Sequence, residues 1–192
     1  MVRQAAIRYT AAFLKTQTLP AMKPDTSNAY GTVSRFFHWI MAAGFLLMLF
    51  TAVAWTLNED YFSLIDLHKS VGFVLLVLLL LRLLWALGNL SRRPQGNLLV
   101  KLGHGALYVL MAAVPLTAML RQHGSARGGL KVFGVEIMNG APEKIEWMTR
   151  LGNEWHAPLA WALFVLAAGH ILMAVVHQLK GEKILNRMLG RD

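Results

Sequence analysis

Four uninterrupted apolar stretches constrain this chain more than any motif in it: about Phe36 to Leu57, Leu67 to Leu87, Leu102 to Leu120 and His156 to Leu179. Each is close to the ~20 residues a helix needs to cross the hydrocarbon core of a bilayer. None shows the polar stripe of a helix packed in a soluble bundle. Only 15% of the residues are charged and the mean hydropathy is +0.45, values that fit a membrane protein and not a soluble domain. The expected fold is all-α, a four-helix transmembrane bundle sitting in membrane lipids.

Loop charges orient the bundle. The first connection, TLNEDYFSLIDL, holds Glu59, Asp60 and Asp66 and neither Lys nor Arg, whereas the second holds Arg92, Arg93 and Lys101. Lys180, Lys183, Arg187 and Arg191 follow the last span. Lys and Arg concentrate on the cytoplasmic side, so both termini and the second connection are predicted to be cytoplasmic. This divides the chain into a cytoplasmic extension over residues 1–34, a transmembrane domain over 35–187 and a tail over 188–192. The extension lacks the apolar core of a cleaved signal; a surface helix over about residues 3–15 and an alternative start at Met22 both fit it. The third connection, Arg121 to Trp155, is expected to hold a short helix near Pro142 to Leu151 and to cap the outer face. The net charge of +9 belongs to this topology and to lipid headgroups; no basic helix or RNA-binding signature points to nucleic acid.

The chain has no cysteine, which excludes disulfides, thiolate-bound clusters and covalent CxxCH haem attachment. Any redox centre must use His, Met or carboxylates. Of seven histidines, six lie within or at the edges of the spans, where ionisable groups are costly and usually functional. His156 and His170 are 14 residues apart, nearly four turns and ~21 Å along one helix face. That spacing suits two stacked haems, each taking one ligand from the last helix. His68 opens the second span at the level of His156, and His38 lies near the cytoplasmic start of the first span, closer to His170. The pairs His68 with His156 and His38 with His170 would give two non-covalent, low-spin bis-histidine haems b.

Gly72, four residues after His68, leaves room on the same face for a porphyrin plane or for close helix packing. Gly44, six after His38, fits the first role less well. Arg82, in LLVLLLLRLLW, returns to the His68 face near the cytoplasmic side, where a haem propionate is a natural partner; snorkelling to headgroups competes. His104 and His177 sit at the cytoplasmic edge. Either is an alternative inner ligand, or they line a quinone pocket or bond a propionate, since a quinone carbonyl needs a donor and proton source.

With RFFHW at 35–39, LHKSVG at 67–72, Arg82, LGHGALYVLMAAVPLTAML at 102–120, WHAPLAW at 155–161 and GHILMAVVHQ at 169–178, the chain resembles the bacterial diheme cytochrome b561 family. The resemblance covers about Arg35 to Arg187. It implies a multi-pass protein of the bacterial inner membrane with His38, His68, His156 and His170 as axial ligands, and with Arg82, His104 and His177 near the inner haem or quinone. It also implies electron exchange with ubiquinone as substrate and a small periplasmic electron donor or a redox partner protein. One member type is similar to a superoxide oxidase, an oxidoreductase that passes an electron from periplasmic superoxide to ubiquinone. Arg121, Arg127, Lys131, Lys144 and Arg150 of the outer loop would attract such an anion, but Glu136, Glu143, Glu146 and Glu154 nearly cancel their field unless the fold separates the two sets. The alternative is a haem b membrane-anchor subunit of a larger dehydrogenase or hydrogenase. A haem-free transporter would need broken helices and inverted repeats, which the sequence lacks.

Overall fold

The computed structural model describes residues 22–94 and 96–190; the surface helix expected over 3–15 lies outside them. Four long helices follow one another: α1 (Thr32–Leu57), α2 (Ile65–Gly88), α3 (Leu98–Gly124) and α4 (Glu146–Leu179). All four are long and apolar enough to cross a membrane. A short helix, α5 (Ile184–Leu189), ends the described chain. The helices alternate in direction, so residues 22–31 and α5 share one side of the bundle, called here the terminal end, where the Tyr30 amide donates to the Arg187 carbonyl at 3.4 Å.

Polar residues at the ends of the apolar runs stop the helices. The Asn58 side chain, just past α1, accepts the Asp60 amide at 2.9 Å and starts a 3-10 turn over Glu59–Leu64. Asn97 caps α3 by accepting the Val100 amide at 2.9 Å, as N-cap side chains do for the unpaired first-turn amides. At the terminal end Asp25 does the corresponding work for α1. Its buried carboxylate accepts the Gly31 amide at 2.6 Å and the Ser34 hydroxyl at 2.7 Å, and Arg93 of the α2–α3 connection donates to it at 3.3 Å. Burial raises the pKa of the neighbouring Tyr30 phenol, which stays neutral with its ring against the Arg93 guanidinium. Residues expected to be an extension are thus tied to the bundle.

The helices form two antiparallel hairpins, α1 with α2 and α3 with α4, packed more closely within each hairpin than across the gap between them. Small residues allow the close approach. A side chain at Gly44 would run into Leu75 of α2, and one at Gly152 would lie 2.6 Å from the Thr117 carbonyl of α3. Gly44 is therefore a packing glycine. Between the hairpins, Met41, Leu75, Leu76 and Leu79 form a buried core at mid-depth. This core separates the polar groups at the two ends of the gap.

Two departures from expectation lie in the α3–α4 connection. No separate helix covers Pro142 to Leu151: α4 starts at Glu146 and runs unbroken to Leu179. Pro142 lies before the helix, Gly152 is held against α3, and Pro158 lies inside the helix without ending it. The connection also contains a β-hairpin, β1 (Leu130–Val132) and β2 (Val135–Met138), in an otherwise helical chain. Its two tip residues, Phe133 and Gly134, have φ of 48° and 88°, the double positive-φ turn that matches strand twist.

Candidate cofactor site

At the hairpin end of the gap, His68 of α2 faces His156 of α4 with ring centroids 6.4 Å apart. Both line a cavity of about 360 Å³ walled by all four long helices. Each imidazole is oriented by a bond at Nδ1. Thr51, fully buried on α1, gives its hydroxyl proton to the Met48 carbonyl at 3.0 Å and so accepts from His68 Nδ1 at 2.8 Å. His156 Nδ1 donates to the Val114 carbonyl of α3 at 3.0 Å. These bonds set the tautomer and leave Nε2 of each ring with its lone pair, the arrangement seen when a histidine ligand is fixed by an outer partner. Trp55 stands edge-on to His68 at 4.8 Å, and Gly72 lines the same cavity, where an added methyl would meet Met48 at 3.3 Å.

At the terminal end three imidazoles converge. His170 of α4 lies 6.5 Å from His38 of α1 and 5.2 Å from His104 of α3, centroid to centroid. A metal bound from opposite sides by two imidazole nitrogens, each bond about 2.0–2.1 Å, holds the two ring centroids roughly 6 Å apart. The 6.4 and 6.5 Å pairs have that spacing, and the 5.2 Å pair is too close for it. His104 also donates Nδ1 to the Val100 carbonyl of its own helix at 2.7 Å, which leaves its Nε2 free at the edge of the cluster.

Arg82 points inward. Its guanidinium lies 5.7 Å above the Tyr108 ring of α3 and 3.9 Å from the Met41 sulfur of α1. Among the described residues no carboxylate pairs with it. His177 keeps different company: its Nδ1 is 2.8 Å from a Glu182 carboxylate oxygen in the turn after α4.

Beyond the His68–His156 pair, a second cavity of about 570 Å³ opens at the hairpin end. Lys69, Arg121, Arg127 and Lys144 stand in its wall with Gln122, Thr149 and Asn153, and no Asp or Glu does. Lys69 and Arg121 belong to both cavities. The acids have not vanished: Asp66 lies 3.8 Å from Lys69 and Glu146 2.8 Å from Lys144. Each offsets one cation of the wall, which leaves Arg121 and Arg127 as the wall cations with no ion-paired acid among the described residues. Lys131 and Arg150 are not in this wall.

The sequence reading missed Thr51, Tyr108 and Lys69. Thr51 and Tyr108 are polar residues inside apolar runs, the same signal that marked the histidines. The Val114 carbonyl carries no side-chain signal at all.

Cytochrome b561 homolog 2 of Escherichia coli (strain K12) is 29% identical, in an alignment covering 88% of this chain and 95% of the relative. The family model described as prokaryotic cytochrome b561 matches residues 29–191. The chain belongs to the prokaryotic cytochrome b561 family, multi-pass membrane b-type cytochromes that bind haem b and transfer electrons.

Proposed function

We propose that the chain holds two non-covalent haems b, one between His68 and His156 and one between His38 and His170, and links a periplasmic donor to ubiquinone across the inner membrane. The observation that carries this reading is the repeat of one arrangement at both ends of the gap: two imidazoles from different helices, 6.4 and 6.5 Å apart. The residues fit the group. Oriented neutral imidazoles, an apolar cavity and an interior guanidinium with no carboxylate partner suit an iron porphyrin and its propionates.

Bound haem supplies one-electron chemistry. The chain's own residues divide the remaining work. Thr51 and the Val114 carbonyl hold His68 and His156 in the ligating tautomer. Arg82, braced on Tyr108, offers two-pronged donation to a propionate. His104, with Nδ1 donating to the Val100 carbonyl, offers an accepting Nε2 at the terminal end that takes up a proton and, once protonated, donates to a ubiquinone carbonyl; His177, bridged to Glu182, is a further proton carrier there. On this reading both termini are cytoplasmic and the basic cavity opens to the periplasm.

The basic wall supports an anionic donor, superoxide in particular. Two superoxide ions give up one electron each and leave as dioxygen; one ubiquinone takes both electrons and two protons to become ubiquinol. Arg121 and Arg127 have no acid partner among the described residues and would steer the anion, an effect that weakens over a Debye length of ~8 Å at physiological salt. Stopped-flow mixing with a superoxide pulse tests it. Fast reduction slowed by salt and by Arg121→Gln, then reoxidation only with ubiquinone, is expected; reduction indifferent to both removes the donor assignment. The anchor-subunit reading draws on Trp147 and Trp155, both more than half exposed on the part of α4 before its apolar run. Co-purification of a soluble dehydrogenase subunit from gently solubilised membranes would favour it.

A further inference from the structure

The β-hairpin has an apolar, exposed tip. Phe133 is 67% exposed, Val135 63% and Ile137 48%. Hairpin tips in water are usually Gly, Asn or Asp, which accept positive φ and are well solvated. Here a bulky aromatic takes φ 48°, an outlier conformation for such a residue, while gaining little cover from the protein.

The position of the tip says what covers it. The Phe133 amide donates to the Ser70 hydroxyl at 3.0 Å, and Ser70 is buried beneath it. Ser70 lies five residues into α2, ~7.5 Å along the helix axis, so the tip reaches below the start of the apolar run. Ser70, Val74, Val77 and Leu81 follow at helical spacing on one face. Below Ser70 that face is exposed, 37% at Val74, 40% at Val77 and 47% at Leu81, and on a membrane-crossing helix it faces acyl chains. The hairpin tip is the upward continuation of this stripe. Its polar residues lie on the opposite face, where Lys131 and Glu136 are register partners. At its base, buried Leu130 forms part of the wall of the His68–His156 cavity.

We infer that the hairpin is a lipid-anchored lid: Phe133 and Val135 insert into the adjacent leaflet at the headgroup–acyl boundary and hold Leu130 against the cavity. Apolar faces carrying Phe, Trp and Leu bury at that boundary, and apolar area moved out of water supplies the driving force. The inference requires only that α2 crosses the membrane and does not depend on the donor or the haem assignment.

Because the chain has no cysteine, single nitroxide labels can be placed without background. Phe133→Cys and, separately, Val135→Cys are labelled in the full chain, reconstituted alone into phosphatidylcholine–phosphatidylglycerol vesicles. Val74→Cys serves as the lipid-facing reference and Glu136→Cys as the water-facing one. Oxygen, concentrated among acyl chains, should relax the labels at 133 and 135 more than a water-confined nickel chelate does, the same order as at 74 and the reverse of 136. Nickel-chelate collisions as frequent as at 136, at either position, overturn the inference. That is also the result expected if the tip is instead a docking face for a soluble subunit, since none is present.

Discussion

Thr51 shows how one hydroxyl orients a histidine. Buried in an apolar helix, it is the acceptor that fixes His68, and outer partners of this kind typically contribute 10–100-fold to affinity for a bound metal. Thr51→Val, nearly the same in shape, should weaken haem retention at the His68 end by about that factor and alter that haem's potential. A titration that leaves content and potential unchanged would reduce the contact to packing. Arg82→Met should keep both haems but shift the potential of the terminal-end one, since it removes a positive charge beside it; an unshifted redox titration would return Arg82 to a snorkelling role. The histidines were legible from their cost inside a membrane. Their partners were less so, because a backbone carbonyl at residue 114 and a tyrosine ring under Arg82 depend on which helices become neighbours. The choice between His38 and His104 as partner of His170 was also open in sequence, since both sit near the same depth; the proposal of His38 rests on its 6.5 Å separation, which repeats the 6.4 Å of the His68–His156 pair.

At the scale of elements, hydropathy located four helices, while their ends and the long connection followed from tertiary contacts. Helix α4 extends ten residues beyond its apolar run because its first turns pack on α3. Thr149 donates to the Gly124 carbonyl at 3.0 Å, and Gly152 meets the Thr117 carbonyl. Gly152→Ala should therefore force the two helices apart, at a cost of about 1–3 kcal/mol for overpacking. Unfolding in mild detergent would report it, and an unchanged midpoint would show that the hairpin has slack. The Asp25 tie is tested in the same assay. Asp25→Ala leaves Arg93, the Gly31 amide and the Ser34 hydroxyl without their acceptor, and loss of a buried ion-pair partner costs about 3 kcal/mol or more. The β-hairpin escaped the sequence reading because its turn pairs glycine with phenylalanine, not with the Asn or Asp that advertises such turns.

For the whole molecule, the account is of two helical hairpins held apart by an apolar core, with an imidazole pair at each end of the gap. On the proposed orientation, reporter fusions active only outside the cytoplasm should be silent after Leu189 and active within 126–145; the opposite pattern would invert which end meets the donor. Which cations of the basic cavity keep an acid partner could not be read from the order of residues: Lys144 pairs with Glu146 and Lys69 with Asp66, whereas Arg121 and Arg127 pair with no acid among the described residues. The central claim is that each end holds one haem by its own histidine pair. Its most direct measurement is extracted haem per chain, with the visible spectrum, in the wild type, His68→Ala, His38→Ala and His104→Ala. The account predicts about two extractable haems per wild-type chain, each between a pair of neutral imidazoles, and about one in both His68→Ala and His38→Ala. His104→Ala should keep both. One haem in the wild type, or loss of a haem in His104→Ala with both retained in His38→Ala, would contradict it.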